Sequence, residues 1–91
     1  MKSQENKDLF AVTIGENIRN NRLKSMLTIN ELAESANIDE KNLNRIELGE
    51  RVPSTYTLAK IAGALSINPG DLYKGTLELL DIIPKVHKDK Q

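Results

Sequence analysis

Apolar residues recur at helical spacing along most of the chain, and short polar stretches separate the helices that they predict. Leu58, Ile61, Ala62 and Leu65 are a clear case, because residues three and four apart lie on one face of a helix. The pattern predicts an all-α fold, a compact arrangement of five helices. Thr76 to Ile83 could form a sixth, C-terminal helix before Pro84 ends it.

The first predicted helix begins at a capping box, Thr13 to Glu16, in which the Thr hydroxyl and the Glu carboxylate satisfy amides of the first turn. It spans Ile14 to about Ser25, with Ile14, Ile18 and Leu23 on its inward face and Arg22 on the same side. Residues 1–12 are mostly polar ahead of a brief apolar patch. They predict a flexible N-terminal arm.

Two short helices with a tight turn between them follow. Thr28 to Glu31 forms a second capping box, and Asn37 tolerates the left-handed backbone conformation that a sharp turn needs. Asp39 caps a third helix over Glu40 to about Leu48. Two such helices, buried by their neighbours, let one helix protrude into a major groove about 12 Å wide.

Two further helices complete the predicted domain. Ser54 caps the fourth helix, and Asn68 caps a short fifth helix with Pro69 at its first position. Residues 13–73 then form the helix-turn-helix domain. Residues 74–91 form an extension that ends in a charged tail.

Composition narrows the functional classes. The chain has 91 residues, enough for one domain, and with only 3% aromatic residues its core must be mainly aliphatic. It has no Cys, which excludes a disulfide framework, a thiolate metal site and a cysteine nucleophile. His87 lacks a companion ligand or base. We therefore expect no enzyme, no cofactor, no metal site and no membrane span, and a cytoplasmic location.

The net charge of the chain does not indicate a polyanionic partner. Thirteen basic and 13 acidic side chains give a net charge of zero, whereas most compact DNA-binding domains are basic. If the chain binds nucleic acid, a few locally placed cations must provide the attraction.

The order and spacing of these residues resemble a known family. Residues 13–73, about 60 of the 91 residues, are similar to the Cro and lambdoid phage-repressor type of helix-turn-helix domain, also called the xenobiotic-response-element family. The residues that carry the resemblance are Ile14, Gly15, Ile18, Arg19, Arg22, Leu27, Thr28, Glu31, Leu32, Ala33, Leu43, Ile46, Glu47, Gly49, Arg51, Pro53, Ser54, Leu58, Ile61, Ala62, Ala64, Leu65 and Leu72.

The resemblance implies a structural ion pair and two phosphate contacts. The pair is Arg22 with Glu47, although Arg22 alone could instead contact phosphate. Thr28 lies where the family holds a phosphate at a helix N-terminus, unless it serves only as a cap. Arg51 follows helix three and suits a second phosphate contact. Ile29 departs from the family, which often has Gln at that position.

The resemblance also implies a base-contacting face on helix three, made of Glu40, Lys41, Asn44 and Arg45. Lys41 and Arg45 can donate to guanine, Asn44 can pair with adenine or hold a phosphate, and Glu40 can accept from cytosine. The alternative is a solvated face for the two cations. For Glu40 the alternative is a favourable interaction with the helix dipole, and Asp39 is expected to be a cap.

The C-terminal extension is rich in aliphatic residues. Leu77, Leu80 and Ile83 are predicted to form a dimerisation surface, unless the segment folds back on helices one and five. The predicted function is therefore a sequence-specific transcriptional regulator, a repressor that binds double-stranded DNA at an inverted-repeat operator as a homodimer. The alternative is a protein-interaction domain or an antitoxin with weak or no DNA binding.

Overall fold

The computed structural model describes the backbone of residues 2–76 and 79, and the side chains of residues 8–76 and 79. Helix α1 is Lys2–Lys24, α2 is Ile29–Ala36, α3 is Glu40–Glu47 and α4 is Thr55–Leu65, and a 3₁₀ helix follows at Pro69–Tyr73. These residues contain no strand. The all-α prediction is confirmed. None of the helices in this part of the chain is both long and apolar enough to span a membrane.

One aliphatic core joins all of these elements. Its central side chains come from α1, α2, α3, α4 and the 3₁₀ helix, and the predicted inward faces of α3 and α4 are buried. The members of the core cluster are Ile14, Ile18, Leu32, Ala33, Ala36, Leu43, Ile46, Leu58, Ile61, Ala62, Leu65 and Leu72. Because the buried faces of α2 and α3 both belong to this cluster, the two short helices are held by packing rather than by their own length.

The predicted start of the first helix is wrong. α1 is continuous from Lys2, so residues 2–12 are helical rather than an irregular arm, and Thr13 lies in the helix interior. Ala11 is buried, and Phe10 packs against the core, with its ring centroid 6.3 Å from that of Tyr73. This burial favours continuing the helix through Thr13.

The inward position assigned to Leu23 is also wrong. Leu23 is 52% exposed, whereas its neighbour Arg22 turns toward the body of the protein, as predicted. Successive residues of a helix are about 100° apart, so the turn of Arg22 toward the body of the protein leaves Leu23 toward the solvent. The helix ends just beyond them, where Met26 has a left-handed φ of 59°.

The predicted caps of the later helices are confirmed. Thr28 forms both bonds of a capping box at α2, Asp39 accepts from the amide of Asn42, and Ser54 accepts from the amide of Thr57. Asn37 ends α2 with a φ of 56°, in the left-handed region. The turn between α2 and α3 is thus the tight one that the sequence predicts.

The fifth helix is shorter and tighter than expected. Pro69–Tyr73 is a single 3₁₀ element rather than an α-helix, so the described residues contain four α-helices instead of five. Its Asn68 cap and leading Pro69 are present, but Gly75, two residues after its end, has a φ of 83°. A short stretch bounded in this way suits 3₁₀ geometry. The predicted sixth helix, Thr76 to Ile83, lies almost wholly outside the described residues.

Candidate nucleic-acid interface

Helix α3 has one buried face and one exposed polar face. Leu43 and Ile46 are at most 1% exposed, whereas Lys41, Asn44 and Arg45 are exposed on the other side. Residues three and four apart in a helix lie on one face, so these three side chains project together. The structure therefore brings two cations and one amide, the groups that pair with base edges, onto one ridge.

An ion pair fixes the C-terminal end of this ridge to the rest of the domain. Arg22 donates through Nε to Glu47 Oε2 at 2.7 Å and through Nη2 to Glu47 Oε1 at 2.9 Å. Its Nη1 donates to the carbonyl of Leu27 at 2.9 Å, just before α2 begins. One guanidinium thus connects α1, the entry to α2, and α3. The two side chains are only 12% and 5% exposed.

The hydrogen bond to Glu47 raises the pKa of Arg22 above its ordinary value, against the opposing effect of burial. A raised pKa keeps the guanidinium charged in the folded protein. The contribution of Arg22 to stability is therefore complete at every pH below the ordinary pKa of arginine, and is lost only as the pH rises from there through the raised pKa of the folded state. In the family pattern this pair is structural, and its geometry is that of a bidentate structural contact.

Gly15 lets α1 approach the end of α3. A Cβ added at Gly15 would lie 2.4 Å from the carbonyl oxygen of Ile46 and 2.6 Å from that of Glu47. No side chain fits at those distances, and the obstructing atoms are backbone. The α1 residue next to α3 must therefore be glycine for the ridge to keep this position.

Side-chain hydrogen bonds also hold the N-terminal half of α3. Asn30 Nδ2 of α2 donates to Glu40 Oε1 at 2.8 Å, and Arg51 Nη1 donates to Asn42 Oδ1 at 3.0 Å. Glu40 therefore faces α2 with one carboxylate oxygen. Arg51 uses one of its five donors on the protein, so its remaining N–H groups are not consumed by that contact.

An open groove of about 520 Å³ borders the ridge. It lies between α1, the start of α2 and α3, above the ion pair. The lining residues are Arg19, Arg22, Thr28, Ile29, Asn44, Glu47 and Leu48. Thr28 and Asn44, predicted separately for phosphate and base contacts, thus share one groove, and Ile29 contributes an apolar wall.

Arg19 is a candidate that our sequence interpretation missed. The sequence pattern assigns it no contact, but it is exposed at the edge of the groove that contains Thr28. Its position one turn before Arg22 could have suggested this, since residues three apart in a helix are neighbours.

Other predicted residues lie away from this surface. The Nζ of Lys60, a cation of α4, donates to the carbonyl of Asn37 at 3.2 Å and lies 4.7 Å from the centroid of the Tyr56 ring. It is therefore engaged with the protein at the turn between α2 and α3. Leu77, Leu80 and Ile83, predicted for dimerisation, lie outside the described residues.

Comparison with known proteins agrees with this geometry. A family model described as "Helix-turn-helix" matches residues 18–72, more than half of the chain. The chain belongs to the Cro/C1-type helix-turn-helix family. The resemblance seen in the sequence is therefore confirmed, and members of this family are DNA-binding transcriptional regulators.

A relative in this family is the HTH-type transcriptional repressor RghR of Bacillus subtilis (strain 168). It is 35% identical over 77 residues, which cover 84% of this chain and 54% of RghR. The chain thus spans about half the length of that relative.

Two solved structures have the same fold. The restriction-modification controller protein C.AhdI from Aeromonas hydrophila is 30% identical, with a TM-score of 0.68 over 69% of this chain and 96% of its own. The clp gene regulator ClgR from Corynebacterium glutamicum has a TM-score of 0.70 over 89% of this chain and 85% of its own. At 22% identity, the second likeness concerns the fold alone.

Proposed function

We propose that this chain binds double-stranded DNA through the exposed face of α3 and acts as a transcriptional repressor. The observation that carries the proposal is the ridge of Lys41, Asn44 and Arg45, which is exposed on a helix whose other face is buried. An α-helix held in this way can enter the major groove and present its side chains to base edges.

The ridge supplies the donors that base recognition needs. Lys41 and Arg45 donate to guanine O6 and N7, and Asn44 pairs with adenine N6 and N7 or holds a phosphate. Glu40 accepts from cytosine N4 through the carboxylate oxygen that Asn30 does not occupy. Each good pair discriminates against the wrong base by about 1 to 3 kcal/mol.

Phosphate contacts come from the borders of the ridge. Beside Thr28, the amides of Ile29 and Asn30, which the capping box does not use, meet one phosphate because a helix N-terminus attracts anions. Arg19 adds a positive charge beside that site, across the same groove. Arg51 meets a second phosphate with the donors that Asn42 leaves free.

Locally placed cations can attract DNA although the net charge of the chain is zero. Around α3 the groove, the ridge and the following loop present Arg19, Lys41, Arg45 and Arg51. The exposed carboxylates of the same region are those of Asp39, Glu40 and Glu50. Since exposed charges are screened beyond about 8 Å at physiological salt, the cations beside the DNA matter more than the distant acids.

The proposed assembly is a homodimer on an inverted repeat. One such module buries only about 600 to 1,000 Å² on DNA, and two half-sites one helical turn apart double that contact. Leu77, Leu80 and Ile83 supply the dimer surface in this proposal. The repressor role is supported by the similarity to RghR, a transcriptional repressor of which this chain spans about half.

Selection from random-sequence duplexes tests the DNA-binding proposal. The duplexes are about 30 base pairs long, enough for two half-sites with flanks. The expected product is an inverted repeat whose half-site centres lie about 10 base pairs apart. Arg45→Ala should weaken binding to that sequence by about 5- to 150-fold and relax preference at one base position.

Lys74→Ala is the matched control for Lys41→Ala. Lys74 is also exposed, but it lies beyond the 3₁₀ helix and pairs with Asp71 rather than facing the ridge. Anisotropy measured at several salt concentrations should show a loss for Lys41→Ala and none for Lys74→Ala. If no duplex is enriched even at low salt, the chain is an interaction domain or an antitoxin of this fold without operator binding.

A further inference from the structure

The groove between α1, the start of α2 and α3 has two aliphatic residues in its lining. Ile29 is the first residue of α2, and Leu48 is the C-terminal cap of α3. Ile29 is half-buried and packs against the core, whereas Leu48 is 60% exposed. Ile29 and Leu48 are called the apolar strip below. Leu48 in particular leaves apolar area in contact with water.

Leu48 continues the exposed ridge of α3 by one turn. Its amide donates to the carbonyl of Asn44 at 3.0 Å, and its φ of −79° and ψ of −4° keep it in the right-handed helical region. Residues four apart in a helix lie on one face, and both side chains line the groove. The face that presents the amide of Asn44 to base edges therefore carries an apolar group about 6 Å further along the helix axis.

The charges around the apolar strip suit a DNA strand. The lining residues include two cations, Arg19 and Arg22, and one carboxylate, Glu47. Arg22 and Glu47 neutralise each other in the ion pair, so the exposed Arg19 gives the groove a net positive charge. The first-turn amides of α2 that the capping box does not use add partial positive charge at one wall. This sign attracts the phosphates of DNA.

The apolar strip matches one chemical group on the major-groove edges of the bases. Guanine, cytosine and adenine present hydrogen-bond donors and acceptors there, whereas thymine adds a C5-methyl group. Neither Ile29 nor Leu48 has a side-chain atom that forms hydrogen bonds. Covering a donor or an acceptor with either residue would therefore cost free energy, whereas covering a methyl group gains it.

We propose that the apolar strip contacts the C5-methyl group of a thymine and selects that base in the half-site. One turn of helix, about 6 Å, spans no more than two base-pair steps of about 3.4 Å, so the thymine lies within two base pairs of the base that Asn44 contacts. This inference rests on the proposed DNA binding. It gives a role to Ile29, where the family often has Gln, because an apolar side chain there selects a methyl group.

Replacing thymine by uracil tests the contact, because uracil lacks only the C5-methyl group. The probe is the duplex enriched from the random-sequence pool, with its thymines replaced by uracil one at a time. Fluorescence anisotropy at one fixed salt concentration gives Kd for each duplex. The unsubstituted protein should bind about fourfold more weakly at one thymine per half-site, the affinity lost with one buried methyl group. Thymines outside the half-sites should show no such loss.

Leu48→Ala and Ile29→Gln should each bring the thymine-to-uracil affinity ratio at that position toward one. Leu23→Ala is the matched control, because Leu23 is 52% exposed but is not among the lining residues of the groove. It should keep the fourfold ratio. Each ratio compares two duplexes with the same protein sample, so a change in the folded fraction cancels.

Three results would overturn the thymine contact while the protein still binds an operator. They are an enriched half-site without thymine, a ratio near one at every thymine, and a fourfold ratio that Leu48→Ala and Ile29→Gln both leave unchanged. In these cases the proposed function stands and this inference fails alone. If no duplex is enriched, the proposed function fails and this inference fails with it.

Discussion

The same four-residue pattern occurs at two places in this chain, with opposite structural outcomes. Thr28 to Glu31 is a working capping box at the start of α2, whereas Thr13 to Glu16 lies inside α1. Both segments are Thr-Ile-X-Glu with a small or polar third residue. The difference therefore comes from what precedes and surrounds each segment, not from the capping residues themselves.

What precedes Thr28 ends a helix. Met26 adopts a left-handed conformation, and Arg22 holds the carbonyl of Leu27, so the chain arrives at Thr28 already out of helical geometry. What precedes Thr13 extends a helix, because Ala11 is buried and Phe10 packs against the core. The helical penalty of one Thr is at most about 0.7 kcal/mol, less than the burial of one large side chain.

Removing the charge of Arg22, which holds the chain just before Thr28, should have the largest effect on stability. Arg22→Met would leave Glu47 nearly buried without its partner and free the carbonyl of Leu27. We expect the free energy of unfolding to fall by about 3 to 5 kcal/mol, as measured by urea denaturation.

The matched control is Arg22→Met together with Glu47→Leu, which removes both charges. Replacing a whole buried pair by apolar groups is often neutral, so this double variant should recover most of the lost stability. A single variant as stable as the parent would mean that the ion pair does not organise the entry to α2.

Adding one methyl group inside α1 should have the next largest effect. In Gly15→Ala the new Cβ would meet the carbonyls of Ile46 and Glu47, which are backbone atoms and cannot rotate away. We expect a loss of about 1 to 3 kcal/mol, the usual cost of overpacking. Thermal unfolding followed by circular dichroism measures it.

Gly63→Ala is the control for this prediction, because Gly63 is also helical but has nothing within 4 Å of an added Cβ. Here the change should stabilise by about 0.5 to 1 kcal/mol, the intrinsic advantage of Ala over Gly in a helix. Equal effects at the two glycines would contradict the close approach of α1 to α3.

The smallest expected effect on stability comes from replacing the Thr of each Thr-Ile-X-Glu segment. Thr28→Ala removes the acceptor for the amide of Glu31 and should cost about 1 kcal/mol. Thr13→Ala should change stability by less than about 0.5 kcal/mol, because Thr13 is not a cap and Ala favours helices. Losses of equal size would show that α1 begins at Thr13 after all.

Much of the helix-turn-helix unit could be predicted because its determinants are local. The caps at Thr28, Asp39 and Ser54 each act within three residues, and the inward positions of α3 and α4 follow from a period of 3.6. The exposed ridge of α3 follows from the same period. Its proposed contacts with DNA remain predictions.

The start of α1, the exposure of Leu23 and the length of the fifth element could not be predicted in this way. Each depends on which neighbouring element covers the residue in question. The groove beside Arg19 also depends on a neighbouring element, since it exists only where α1 passes the start of α2.

The sequence alone therefore determined the all-α class, the family, the ends of α2 and α3, and the side chains available on the ridge. These follow from residue types and spacings within a turn or two of helix. Only the tertiary structure decided that α1 runs through Thr13, that Gly15 must admit the backbone of α3, and that Arg19 shares a groove with Thr28. Those features depend on contacts between residues far apart in the chain, and burial there outweighs the small free energies of local caps.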